Sequence, residues 1–367
     1  MHICLISVEI FAWEKYGGFG KATRILGREL VKRGIKVSAI IPRRGSQKEV
    51  EDLDGITVYG YDIFKPVEIA RIFRACDADI FHSQEPSFST YLAQHFHPQK
   101  KHIVTFRDTR TFHDWAIEFA LPSKSRLQVL ANLLFEDNLL VHKAVQKVDA
   151  RFAASYLLVD RSYRKYHLNE KPTFLPTPVI IPGDVVKAKT PTVCYISRWD
   201  RRKRPELFID LARMFPEIRF IAVGASRDPV YDRLIRSQLE GLPNVEVHAM
   251  INQFESDELQ SIFSRSWILL NTAAREGLPV SFIEACASRC AILSSVNPDE
   301  FTSRFGYVVK NDDFSNGLSY LLENDYWRKA ASKGFTHVQD IFSVDSTLQQ
   351  HIEIYTNILT RNKNETR

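Results

Sequence analysis

Two glutamates in one short stretch could do chemistry together. In "REGLPVSFIEAC", Arg275 to Cys286, Glu276 precedes an apolar run and Glu284 lies within it, beside Phe282, Ile283, Ala285 and Cys286. A carboxylate among apolar side chains is costly unless something pairs with it. Pro279 suits a first helical turn, so the spacing predicts Glu284 one turn inside a helix. There it can accept both hydroxyls of a ribose diol. Glu276 can reach hydroxyls of a bound sugar, with the Gly277 and Leu278 backbone turning N–H groups toward it. The alternative is an internal salt bridge to Arg275 or Arg289.

A second stretch, "ISRWDRRKRPELF", carries cations. Arg198 ends an apolar strand, and Lys203 comes just before a helix that opens at Pro205. Two cations beside a helix N-terminus suit a diphosphate, which wants charge and N–H donors together. A solvated basic loop is the plainer alternative, because five of the seven residues 198–204 are Arg or Lys. Arg201 and Arg202 are read as solvated. A third stretch is "GGFG", Gly17 to Gly20. Glycines between a strand and a helix let backbone N–H groups approach a phosphate or sugar, although the full dinucleotide fingerprint is missing.

Metal chemistry has little support. "DAD", Asp77 to Asp79, reads as a loop running into the strand "IFHS". Cys286 and Cys290, read as four apart on one helix, lack a second ligand pair and suit small core positions. The five cysteines, with no framework spacing, fit a reducing cytoplasm. The start, "MHICLISVEIFAW", lacks a basic leader and is interrupted by Glu9, so it reads as a first strand.

These motifs need elements to position them. The chain has 367 residues, 44% hydrophobic and 25% charged, which suggests two globular domains. No run reaches the ~18 apolar residues of a membrane span. "HICLIS", "KVSAIIP", "ADIFHS" and "HIVTF" read as buried strands separated by helical patterns. The first helix, "KATRILGRELVKRG", ends at Gly34. After the proline-rich "KPTFLPTPVIIPG", read as the end of the first domain and the start of a linker, strands restart with "TVCYIS", "IRFIAVG", "VEVHAM", "WILLN" and "AILSS". This is an α/β pattern with two doubly wound parallel sheets. The expected division is 1–182 plus a returning C-terminal helix, 344–367, and 183–343. Two such units facing each other would hold a ligand in a cleft between them.

Charge separates the halves. Residues 1–182 hold 26 Lys+Arg against 20 Asp+Glu, and the remainder 23 against 24. A basic first half attracts an anionic acceptor or a membrane surface, or is simply solvated. No arginine-rich arm points to nucleic acid. Residues 111–135 combine Trp115, Phe119, Leu130, Leu133 and Leu134 with Lys124 and Arg126, which suits the acceptor side. Packing within the protein and peripheral membrane contact both remain open for that segment.

Taken together, "GGFG", "SRWDRRKRP" and "REGLPVSFIEACA", with weaker echoes in "DIFHSQEPS", "FLPTPV" and "VGASRDP", resemble the retaining GT-B glycosyltransferases of family four, the group 1 type. The resemblance spans nearly the whole chain. It implies two Rossmann-like domains, a nucleotide-diphosphate sugar as donor, and a glycan, lipid-linked or small-molecule acceptor. It implies no cofactor and no metal. Arg198 and Lys203 would grip the donor diphosphate, Glu284 the ribose and Glu276 the transferred sugar, while Gly17 and Gly18 approach donor or acceptor. Two positions depart from the family pattern. Relatives often carry histidine where this chain has Arg107, followed by Asp108, and often asparagine where it has Thr177. Arg107, Asp108 and His82 are therefore the sugar or acceptor candidates, with His113 a further substitute for the missing histidine. A nucleotide-sugar epimerase and a non-catalytic sugar-nucleotide-binding subunit are the rival functions on the same fold.

Overall fold

The computed structural model describes residues 1–13 and 17–364. Tyr16, the residue before "GGFG", and the last three residues of the predicted 344–367 segment lie outside them. The chain divides into two compact units: residues 1–109, 131–178 and 344–367, and residues 110–130 and 179–343.

The first unit is built on an eight-stranded sheet: β1 (His2–Ile6), β2 (Lys36–Pro42), β3 (Val50–Leu53), β4 (Ile56–Tyr61), β5 (Ile80–Ser83), β6 (Lys101–Phe106), β7 (Ala150–Ala153) and β8 (Thr173–Phe174). Its order is β3-β4-β2-β1-β5-β6-β7-β8. All pairs are parallel except β3 with β4. The central strands are short and buried on both faces, as Ile3 and Leu5 on one side of β1 and Cys4 and Ile6 on the other show, which explains their continuous apolar runs. Helix Gly18–Lys32 follows β1, and Gly34 adopts the left-handed conformation just beyond it. The C-terminal helix Val344–Asn364 belongs to this unit, burying Leu348, Tyr355 and Ile358 against its core.

The second unit carries β9 (Thr192–Ile196), β10 (Arg219–Val223), β11 (Val245–His248), β12 (Ile268–Asn271), β13 (Ala291–Ser294) and β14 (Gly306–Val308). The order is β11-β10-β9-β12-β13-β14, all parallel. Its core gathers Trp199, Phe208, Phe220, Leu270, Leu293 and Trp327.

In the proline-rich stretch Thr173–Phe174 pairs with β7, and the first unit runs to Pro178. Two expectations change in detail. Residues 110–130 fall with the second unit, because their carboxylates meet arginines there and not in the first sheet. Cys290 lies past the end of helix Val280–Ala287, its Sγ 3.2 Å from the Phe263 and Ser266 carbonyl oxygens, so the two cysteines do not share a helix.

Candidate active site

Sheet order fixes where ligands can sit. In open α/β sheets they bind beyond the strand carboxyl ends, where the winding direction reverses. In the second unit that point lies between β9 and β12. The loops leaving these two strands are 197–204 and 272–279, the stretches that hold Arg198, Lys203 and Glu276.

The fold joins these loops tightly. Lys203 Nζ donates to Glu276 Oε1 in an ion pair, and Asn271 Nδ2 donates to the same oxygen at 3.3 Å. The Thr272 hydroxyl and the Tyr195 phenol donate to the Lys203 carbonyl at 2.6 and 3.0 Å, and Ala274 N–H donates to the Arg202 carbonyl at 2.8 Å. Burial lowers the Lys203 pKa, and the Glu276 carboxylate opposes that shift. Arg204, next along, has φ +49°, a left-handed conformation that an L side chain adopts only at a cost. Its guanidinium holds the strain in place by donating to the Thr272 carbonyl, Asp312 and Ser295. Pro205 then opens the next helix, where its missing N–H is harmless.

Arg198 lies 3.5 Å from Asp200, whose side chain is fully buried. Burial pushes the Asp200 carboxyl up, but Arg198 and Arg202 more than offset it, and it ends below the ordinary range. Ser123 donates to its Oδ2 at 3.0 Å.

The basic loop is not a diffuse solvated patch. Arg201 pairs with Asp228 at 2.9 Å and lies over the Tyr231 ring. Arg202, expected in solvent, is largely buried, and its Nη1 donates to Glu118 at 2.6 Å. Each of the five cations therefore has its own partner.

Helix Val280–Ala287 presents Glu284 half-buried one turn from its start, with Phe282, Ile283, Ala285 and Cys286 turned into the core. Pro279 stands just outside, at the N-cap. Of the two proposed salt-bridge partners, Arg275 bonds Asp114 and Glu118, and the Arg289 guanidinium sits 3.7 Å from the Phe335 ring centroid. Gly277 and Leu278 form the half-buried turn between the two glutamates.

In the first unit the winding reverses between β1 and β5. Gly17 caps the helix that Gly18 begins, so "GGFG" is a helix start more than a loop. Its N–H groups are already approached from within: Gly20 donates to Glu9 Oε1 at 3.2 Å, and a Cβ on Gly17 would lie 2.0 Å from that oxygen. With a carboxylate at this helix start, the glycines suit a hydroxyl better than a phosphate.

The candidate residues near β5 and β6 turn inward. His82 is fully buried, its ring nitrogens 2.8 Å from the Tyr355 hydroxyl and 2.7 Å from the Thr105 hydroxyl. Burial, with His351 and Arg107 nearby, holds its pKa well below the ordinary value. It fastens the C-terminal helix to the sheet and has no nitrogen left for a sugar, a correction to the sequence reading. Arg107 is also buried. It donates to Thr177 Oγ1 at 2.7 Å and to Gln84 Oε1 at 2.6 Å. The two departures from the family pattern are thus bonded to each other, tying the chain after β8 to the ends of β5 and β6. Burial brings the Arg107 pKa down to about 10. The backbone N–H groups of Arg107 and Asp108 both donate to Glu85 Oε2, and burial pushes that carboxyl up to about 7. His113 follows the exposed Phe112 at the start of helix Phe112–Ala120 and is itself exposed. Asp79 of "DAD" accepts the His2 backbone N–H at 2.7 Å, and Asp77 pairs with Lys100 at 2.7 Å.

Sequence reasoning missed Glu9, Glu85, Asp114 and Glu118. Only the last two left a signal. "TFHD" is a capping box, with Thr111 and Asp114 exchanging bonds, and Asp114 and Glu118 share one helix face at i, i+4 spacing.

Comparison with known proteins agrees with this geometry. Residues 180–334 match the family model "Glycosyl transferases group 1", and residues 2–143 match "Starch synthase catalytic domain". A glycosyltransferase 1 domain-containing protein 1 from Xenopus tropicalis is 25% identical over 120 residues, 31% of this chain and 32% of that protein. The chain thus aligns with about a third of the length of this curated relative. Among solved structures, sucrose-phosphate synthase from Thermosynechococcus elongatus superposes with a TM-score of 0.76 at 17% identity, covering 98% of this chain and 99% of that one. The catalytic domain of starch synthase IV from Arabidopsis thaliana, bound to ADP and acarbose, gives 0.66 at 13% identity, covering 98% and 99%. The fold is that of the GT-B glycosyltransferases. The stretch that matches the group 1 model occupies most of the second unit.

Proposed function

We propose that the protein transfers a sugar from a nucleotide-diphosphate donor to an acceptor hydroxyl with retention of anomeric configuration. The observation that carries this reading is the half-buried Lys203–Glu276 pair at the β9/β12 switch point. It sets a cation for the leaving phosphate beside a carboxylate for the sugar hydroxyls. Arg198 provides a second cation for the diphosphate, and Glu284 accepts from the ribose hydroxyls.

In the transfer, the bond from the anomeric carbon to the phosphate oxygen breaks. The acceptor oxygen bonds to that carbon on the same face, and its proton passes to the departing phosphate. Negative charge grows on that phosphate, and fixed cations and N–H dipoles stabilise it. Charge neutralisation of the diphosphate rests here on Lys203 and Arg198, so the reading needs no metal. Relatives whose solved structures hold ADP or UDP support a nucleotide in this role.

The acceptor is a glycan, lipid-linked or small hydroxyl compound. No helix among the described residues is long and apolar enough to cross a membrane. Peripheral contact through residues 111–135 stays part of the proposal, since Phe112, Leu127 and Leu134 are exposed. Trp115, by contrast, is buried beneath Arg110. Sedimentation with anionic vesicles at low salt should pull the protein down; protein left in the supernatant ends that part of the reading.

The main experiment is a panel of UDP-, ADP- and GDP-sugars, scored for binding by calorimetry and for slow hydrolysis. One donor should bind and release its nucleotide diphosphate. Binding without release from any donor would favour the non-catalytic subunit, and no binding at all would end the reading.

A further inference from the structure

Residues 110–130 follow β6 of the first unit in sequence, yet pack with the second. Helix Phe112–Ala120 lies within this segment, and its two acidic residues face neither solvent nor each other's repulsion. Asp114 Oδ1 accepts from Arg275 Nε at 3.0 Å. Glu118 Oε1 accepts from Arg275 Nη1 at 3.0 Å and from Arg202 Nη1 at 2.6 Å, and lies 3.1 Å from Arg110 Nε. Asp114, Glu118 and Arg275 are each 7% exposed or less. Arg202 is on the loop after β9, beside Lys203. Arg275 is on the loop after β12, beside Glu276. One carboxylate oxygen therefore joins the two loops whose neighbours form the Lys203–Glu276 pair. Ser123, farther along the segment, adds a second tie through Asp200.

We infer that Glu118 is a positioning residue that sets the two donor loops against each other and so aligns Lys203 with Glu276. This rests on the donor-site reading above. Breaking a buried charged hydrogen-bond hub leaves guanidinium groups unpaired, and each relaxes in its own direction. Reacting groups tolerate displacements of only a fraction of an ångström to about one. Loss of alignment appears in the transition state more than in ground-state binding, so kcat falls while KM holds. Glu118 touches no reacting atom in this scheme; it acts through Arg202 and Arg275.

The test uses the full chain and the nucleotide sugar that the wild type accepts from the panel. Glu118→Gln should lower kcat at least tenfold per folded molecule, with KM for that donor changed less than threefold. Arg213→Gln, which breaks an exposed pair with Asp210 elsewhere in the same unit, should leave kcat within twofold. If Glu118→Gln does not fold, Arg275→Lys supplies the same reading. It keeps the charge but cannot fork Asp114 to Glu118, and kcat should fall at constant KM. A well-folded Glu118→Gln or Arg275→Lys enzyme with unchanged kcat would overturn the inference. So would a loss of kcat in Arg213→Gln equal to that in Glu118→Gln. A wild type that turns over no donor would instead count against the proposed function, so the two failures are distinguishable.

Discussion

The two switch points of the molecule are built from opposite charges. At the one between β1 and β5, carboxylates stand at the backbone N–H groups: Glu9 at Gly20, and Glu85 at Arg107 and Asp108. The nearby cation, Arg107, spends its donors on Thr177 and Gln84. At the one between β9 and β12, five cations occupy seven residues and are held in place by a ring of acids. The first arrangement already satisfies its N–H donors and suits neutral hydroxyls. The second keeps fixed positive charge, which under the proposed transfer would meet the departing diphosphate. One sheet architecture can therefore serve opposite partners, because the specificity resides in the loops at the strand ends.

The largest expected effect tests the cationic side. Lys203→Ala should reduce kcat about a hundred- to a thousandfold, the usual loss for one fixed donor of this kind, with a smaller change in donor affinity. Arg198→Ala should act the same way. Arg201→Ala is the suitable control, because Arg201 is partly exposed and its pair with Asp228 is a surface pair; its effect should stay within about fivefold. Arg202 cannot serve as a control, since it is buried on Glu118. Steady-state kinetics on the three variants decide the matter: equal losses at Arg201 and Lys203 would reduce the site to a general basic surface.

A smaller effect is expected at Glu284. Glu284→Ala removes hydrogen bonds to a charged group and should weaken nucleotide binding by about 1.5–3 kcal/mol, or roughly ten- to a hundredfold. Free nucleotide and nucleotide sugar should lose affinity together in calorimetry. Unchanged affinity in a folded variant would remove the ribose role and leave a structural one.

The smallest effect sharpens the acidic side. The Glu85 carboxyl is raised from 4.5 to about 7 by burial. Its folded form thus holds the proton more tightly than the unfolded chain does. The resulting stabilisation is present below about pH 4.5 and is lost as pH rises through about 7. Across that window the stability of the wild type should fall relative to that of Glu85→Gln. Denaturant melts at several pH values measure this, and parallel curves for the two proteins would show that Glu85 titrates normally.

Much of this was legible in residue order. Strand identity, the placement of Arg198, Lys203 and Glu276 on loops that follow strands, and that of Glu284 on the next helix follow from apolar periodicity and from local rules for Pro and Gly. Those are short-range effects, set by each residue's neighbours in the chain. The partners of charged side chains are not short-range. Nothing nearby in sequence shows that Arg202 meets Glu118, 84 positions away, or that His82 is consumed by Tyr355, 273 positions away. Nor does it show that Arg107 and Thr177, two separate departures from the family pattern, bond each other. The sequence by itself determined which elements form and which side chains reach the strand ends. Only the tertiary structure decided which of those side chains were already used inside the protein, because a buried charge must find its partner wherever packing brings one.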